Sequence, residues 1–233
     1  MNEVTKQKHG ATFLFTSMVL TGLLYVVPFG KTIAWPLVLL STLAHEMGHG
    51  LAAVLVGGDF QKFYLHADAS GVAYTATRGN IANALVSAGG LVGPAIVGAL
   101  FFMMAHRAKN LFFVMGAGLI LAEVMVVRNL FGLTFVGGVA LVFLWLATSA
   151  NKGVQQIAAY FVGIQLALSV FSRGDYLFTP VANTASGTMP SDVAHMSEAL
   201  FLPYWVWGLV CGGFSILCLV IGVRTAFRNL RQD

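Results

Sequence analysis

Charge is scarce in this sequence: 9% of its 233 residues are Asp, Glu, Lys or Arg, against roughly a quarter in soluble domains. That scarcity excludes an ordinary water-soluble globule. No polar stretch is long enough to form a separate soluble domain, so one membrane-embedded domain over 1–233 is expected. The basic residues are scattered at the ends of apolar runs, which suits headgroup contact and excludes a nucleic-acid partner. Cysteine is limited to Cys211 and Cys218. They are about two helical turns apart in one apolar run, too far to bridge, so no disulfide framework exists and both read as packing residues. No internal repeat is present, which argues against a transporter built of two halves. Six histidines, two of them at ligand spacing, are too few for the His-rich boxes of a di-iron membrane oxygenase.

What the sequence has in abundance is apolar run. Candidate transmembrane helices cover 11–29, 33–57, 80–105, 110–127, 131–150, 153–172 and 203–225. The fold class expected is therefore an all-α polytopic membrane protein of six or seven spans. Lys6 and Lys8 precede a first run that is long for a signal sequence and lacks a small-x-small cleavage site, so an uncleaved first helix is expected. Basic residues divide six against seven between alternate loops, leaving orientation open. The cluster Arg224, Arg228 and Arg231 favours a cytoplasmic C-terminus, which with seven spans puts the N-terminus outside.

Two segments do not read as spans. In 57–80, alternation at Phe63, Leu65, Ala67 and at Val72, Tyr74, Ala76 around the turn-forming "DASG" predicts a small β-hairpin. In 173–202 the first half, rich in Ser, Thr, Gly and Pro, predicts a loop. Ser191 then predicts the N-cap of a short helix reaching Leu202, ended by Pro203.

Within the second run, "LAHEMGHGLAA" places His45 and His49 at i and i+4 on one helix face, with Glu46 on the adjacent edge. Ionisable groups near the centre of a membrane helix cost on the order of 2.5–3.5 kcal/mol each on insertion scales. The bland alternative is two histidines hydrogen-bonded to carbonyls. The apolar setting removes water as a partner, however, and two neutral imidazoles can share a zinc ion. The dication favours ionised Glu46, which can take a proton from an attacking water. Gly48, Gly50 and the small residues after them allow another helix to approach closely. So does the pair Gly89 and Gly93, beside Pro94, which predicts a kink in the third span.

The string "LAHEMGHGLAA" in a transmembrane helix resembles the signature of the site-2 protease family of intramembrane zinc metalloproteases, and more narrowly its compact site-2-protease-like branch. A hairpin after the histidine helix, the Gly-rich "SAGGLVGPAIVGALFF", "SDVAHMSE" and "PYWVW" follow in the family's order over residues 35–210. The resemblance implies a zinc-dependent intramembrane endopeptidase, with Glu46 as the base and His45 and His49 as ligands. Its substrate would be a membrane protein in the lipid bilayer.

The wider family's third ligand is an Asp in an Asn-Pro-x-x-Leu-Asp-Gly element, which this sequence lacks. The departure keeps a non-catalytic metal-binding scaffold or chaperone as the competing expectation. Asp192 corresponds to the branch's Ser-Asp-Ala element; Asp175 and Glu123 are the other candidates. Glu123 lies inside a span and needs a partner. Asp175 follows Arg173 at a span end, where an ion pair or cap suffices, and Asp192 sits in the favourable first turn of a short helix. His195, one turn from Asp192, is a candidate outer-shell or oxyanion residue. Asn83 and Asn183 are candidate oxyanion donors by analogy with the family's Asn. The hairpin, through Phe63, Leu65, Val72 and Tyr74, is the candidate docking edge for extended substrate.

Overall fold

A computed structural model describes residues 3–172, 174–184 and 187–232. Its helices are α1 (Glu3–Val26), α2 (Gly30–Ile33), α3 (Trp35–Leu55), α4 (Asn80–Met104), α5 (Ala108–Met125), α6 (Leu130–Thr148), α7 (Lys152–Ser172), α8 (Asp192–Leu200) and α9 (Tyr204–Gln232). Two antiparallel hairpins interrupt them, β1 (Asp59–Leu65) with β2 (Gly71–Ala76) and β3 (Val181–Thr184) with β4 (Gly187–Pro190).

Five helical segments are long and apolar enough to cross a membrane, among them one that runs from Asn80 to Met125. At 1.5 Å per residue its 46 residues would extend roughly 69 Å, over twice a bilayer's apolar thickness of about 30 Å. The run instead breaks at a 3₁₀ turn, Ala105–Arg107. Across that break the Phe101 and Phe112 rings lie 5.8 Å apart, a distance a straight helix would forbid, so α4 and α5 are separate passes. With the shorter apolar stretch Thr12–Leu24 inside α1, each of the seven apolar runs forms a helix. The chain is an integral multi-pass membrane protein.

Helix α4 packs against α3, α7, α8 and α9. Small residues make this possible: a Cβ on Gly48 of α3 would overlap the Gly89 carbonyl of α4, and one on Gly98 would press the Gly163 carbonyl of α7. Backbones thus touch directly, as expected where lipid removes the hydrophobic drive and close packing must replace it. One core cluster joins Phe101, Phe112, Phe143, Tyr160 and Leu166 across α4–α7. Helices α5 and α6 form a peripheral hairpin.

The first hairpin follows the α3 helix as expected, but its two strands differ in availability. Phe63 and Leu65 of β1 are fully buried against Leu39, Leu43, Val127 and Val136. The outer edge of β1 is already paired: Phe63 donates to the Val126 carbonyl at 2.7 Å and accepts from the Arg128 N–H at 3.0 Å. Asn129 exchanges two further bonds with the Leu65 backbone. Phe63 and Leu65 of the expected docking edge therefore lie on a strand whose outer edge is covered, while Val72 is half-buried and Tyr74 exposed on β2. Alternation distinguishes the faces of a strand and carries no information about which edge a distant segment will cover.

Two details of 173–202 also differ from expectation. Val181–Thr184 and Gly187–Pro190 pair as β3 and β4 where loop was expected, their four-residue strands being too short to show alternation. Helix α8 ends at Leu200, with Phe201 in the left-handed region at φ 62° as its C-cap, two residues before Leu202. The Ser191 cap itself is present, its hydroxyl accepting from the Ala194 N–H at 3.3 Å.

Candidate metal centre

His45 and His49 project from successive turns of α3 with their ring centroids 4.7 Å apart. The orientation of His49 follows from its second nitrogen. Its Nδ1 lies 2.8 Å from the Val86 carbonyl of α4, and because a carbonyl only accepts, Nδ1 carries the proton. Nε2 is left as a lone pair aimed into the site, the arrangement usual for a metal-ligating imidazole. Room for the ring comes from Gly90, where a Cβ would overlap the imidazole. Replacing it predicts a measurable loss. Gly90→Ala should raise helix propensity by about 1 kcal/mol, yet by displacing the His49 ring it should weaken zinc retention against a chelator at least tenfold. Unchanged retention would refute this packing role.

Asp192 closes the cluster from the far end of the chain. It opens α8, where buried Ser191 is fixed by donating its hydroxyl to the Thr179 carbonyl at 2.6 Å and its N–H to the Pro180 carbonyl at 3.1 Å. That anchoring sets Asp192 Oδ2 3.2 Å from His45 Nε2 and Oδ1 3.4 Å from His49 Nε2, and the two Nε2 atoms are 3.1 Å apart. Among the described residues, His45, His49 and Asp192 form the group able to hold a metal ion. Zinc bonds of 2.0–2.1 Å in tetrahedral directions span about 3.3 Å between ligands. The three separations fit that edge length, and the lone pair of His49 faces its neighbour with nothing to share unless a cation or proton lies between them.

Glu46 is 7% exposed and its Oε2 accepts from the Ala73 N–H of β2 at 2.7 Å. Hairpin and helix are tied at two further points, Thr42 Oγ1 to the Ala69 carbonyl at 2.8 Å and Trp35 Nε1 to the Ala67 carbonyl at 3.1 Å. Gly71 permits this approach, since a Cβ there would press Glu46 Cγ and Thr42 Cγ2. At the hairpin tip the Ser70 hydroxyl and N–H donate to Asp68, holding its carboxyl below its usual range. A cavity of about 430 Å³ opens here, with Thr42, His45, Glu46, Gly71, Leu91 and Tyr176 on its walls; Pro94 of α4 lines it too. A second, of about 490 Å³, is bordered by Thr75, Asn83, Ser87, His195 and Glu198. Strand β2 runs from one cavity to the other.

The remaining candidates lie elsewhere. Glu123 is half-buried on α5 with its carboxylate against Gly137 of α6, away from the cluster. The side chains of Asp175 and Asn183 lie outside the described residues. His195 is exposed, its Nδ1 4.0 Å from Glu198 Oε2, because three residues turn a helix 300° rather than a full circle and carry its ring off the face of Asp192. Asn83 is exposed and accepts from the Thr77 hydroxyl at 2.5 Å. Sequence reasoning missed Tyr176, whose hydroxyl is 3.5 Å from Asp192 Oδ2 and whose ring centroid is 6.0 Å from that of His45. It missed the Val86 and Ala73 backbone partners as well, and nothing in the local sequence marks any of the three.

Over residues 16–222 the sequence matches a family model described as Peptidase M50B-like. No curated protein and no solved structure matches the chain. The matched span includes the histidine helix, the first hairpin and Asp192 alike; the chain belongs to the M50B-like peptidases, within the site-2 protease (M50) family.

Proposed function

We propose that the protein is a zinc-dependent intramembrane endopeptidase that hydrolyses a peptide bond in or near a transmembrane segment of another membrane protein. Family membership supports an intramembrane metalloprotease. The observation that carries the finer reading is the convergence of His45, His49 and Asp192 ligand atoms within 4.8 Å of one another, with buried Glu46 one residue from the first of them. These three side chains would hold zinc, which when bound supplies Lewis-acid polarisation of the scissile carbonyl and a more acidic water. Glu46 takes the proton from the attacking water and returns it to the leaving amine.

The substrate must present an unwound segment, since a helix buries its amides in its own hydrogen-bond ladder. An extended segment pairs with the β2 edge, where Ala73 directs its N–H away from β1. Glu46 holds that donor, so docking of a strand takes the Ala73 N–H and frees the carboxylate for proton transfer. Ala73→Pro removes the outward donor without breaking a ladder bond. By leaving the docked strand's carbonyl without a donor, at a cost of about 1 kcal/mol or more, it should raise KM at least fivefold, with zinc content unchanged. An unaltered KM would show that substrate does not dock on this edge.

Purified protein should contain zinc and cleave a transmembrane reporter peptide in a manner that depends on Glu46. Zinc without Glu46-dependent cleavage would leave a metal-binding scaffold as the better reading.

A further inference from the structure

We propose that Tyr176 is a further catalytic residue, donating its phenolic hydrogen bond to the scissile carbonyl oxygen as negative charge develops there; this rests on the endopeptidase reading above. Beyond the polarisation that bound zinc would supply, a hydrogen-bond donor stabilises the charge that grows on that oxygen as water adds, and Glu46 serves only as the base. Six hydroxyls border the 430 Å³ cavity, those of Ser41, Thr42, Ser70, Ser169, Tyr176 and Ser215; Thr42 is committed to the Ala69 carbonyl, Ser70 to Asp68, and Ser169 to the Leu166 carbonyl. Tyr176 differs in touching two members of the metal cluster, Asp192 through its hydroxyl and His45 through its ring.

Its 3.5 Å contact with Asp192 Oδ2 is well beyond the 2.7–2.8 Å usual for an O–H···O bond. Asp192 already faces both imidazoles, so this long bond can be given up when a better acceptor, a developing oxyanion, enters the cavity. A phenol, with an ordinary pKa near 10, keeps its proton at neutral pH. The ring is also pre-positioned. The 3₁₀ turn Gly174–Phe178 that carries it presses the Leu177 carbonyl onto Gly208 of α9, where a Cβ would overlap it, and Tyr176 packs against the buried cluster that includes Val193, Met196 and Cys211. Glu46 is tied to the hairpin and Tyr176 to the α8–α9 side, so base and donor reach the cavity from different walls.

In the first step the water oxygen bonds to the carbonyl carbon, the π pair moves onto the carbonyl oxygen, and the water proton passes to Glu46. Tyr176 shares its proton with the new oxyanion and keeps it. In the second step the C–N bond breaks with its electron pair on nitrogen, the proton on Glu46 goes to that nitrogen, and the carbonyl re-forms.

Tyr176→Phe preserves the ring and removes the donor. It should lower kcat by about 10²–10³-fold, as loss of one oxyanion donor does elsewhere, with KM within about twofold and bound zinc at the wild-type level. Calorimetric affinity for a phosphinic peptide, which presents a tetrahedral anion, should weaken by a comparable factor, while affinity for the uncleaved substrate in the Glu46→Gln background stays the same. An unchanged kcat and phosphinate affinity would overturn the proposal. So would parallel loss of zinc and activity, which would make Tyr176 a support for Asp192. If wild-type protein shows no Glu46-dependent cleavage, the endopeptidase reading fails and this one with it; if it does and Tyr176→Phe matches wild type, only the tyrosine's role is lost.

Discussion

Glu46→Gln should reduce cleavage of a transmembrane reporter peptide by on the order of 10⁴-fold, the upper range for removal of a general base, while zinc stays bound. The reason for a selective loss is structural. Glutamine is nearly isosteric, and its amide oxygen still accepts the Ala73 N–H that Glu46 Oε2 now accepts at 2.7 Å, so hairpin and helix remain joined. What disappears is the ability to take a proton from water. Glu46→Ala would confuse the result, because it leaves the Ala73 donor without its partner, at about 1–3 kcal/mol if that donor stays buried. Product formation followed by mass spectrometry, beside metal analysis of the same sample, decides the matter. Cleavage at the wild-type rate in Glu46→Gln would remove Glu46 from the chemistry.

Asp192→Ala should strip the site of zinc. Two imidazoles alone make a weak binding site, and loss of a direct ligand should exceed the roughly 10- to 100-fold that an outer-shell change costs. The fold should survive, since α8 keeps its Ser191 cap and loses only a favourable first-turn charge worth about 0.3–1 kcal/mol. Glu123→Ala is the internal control: that carboxylate packs against Gly137 and should leave zinc unchanged. Chelator competition on detergent-purified variants reads both. Wild-type zinc retention in Asp192→Ala would dissolve the cluster of ligands on which the function is argued.

Much of this molecule was legible from local pattern. Apolar runs of bilayer length announce membrane helices because lipid forces every backbone group to bond within its own segment. The histidine pair and Glu46 could be placed on α3 by helical phase alone, and the hairpin after it by alternation about "DASG". Ser191 was recognisable as a cap because capping is a contact within four residues. Local phase was less reliable over short distances: Asp192 and His195, three residues apart, ended on different faces. The 3₁₀ break at Ala105–Arg107 and the β3–β4 hairpin are too short to leave a periodic signal.

By its own pattern, then, the sequence determined that the chain crosses a membrane and carries two zinc-competent imidazoles beside a carboxylate, since those features depend on neighbours within a few turns. Tertiary structure decided that Asp192, which only the family resemblance had singled out, joins them, that Val126–Asn129 covers the outer edge of β1, and that Tyr176 faces the same cavity. Those outcomes arise where segments far apart in the chain pack together, and a contact between distant segments has no periodicity from which it could be read.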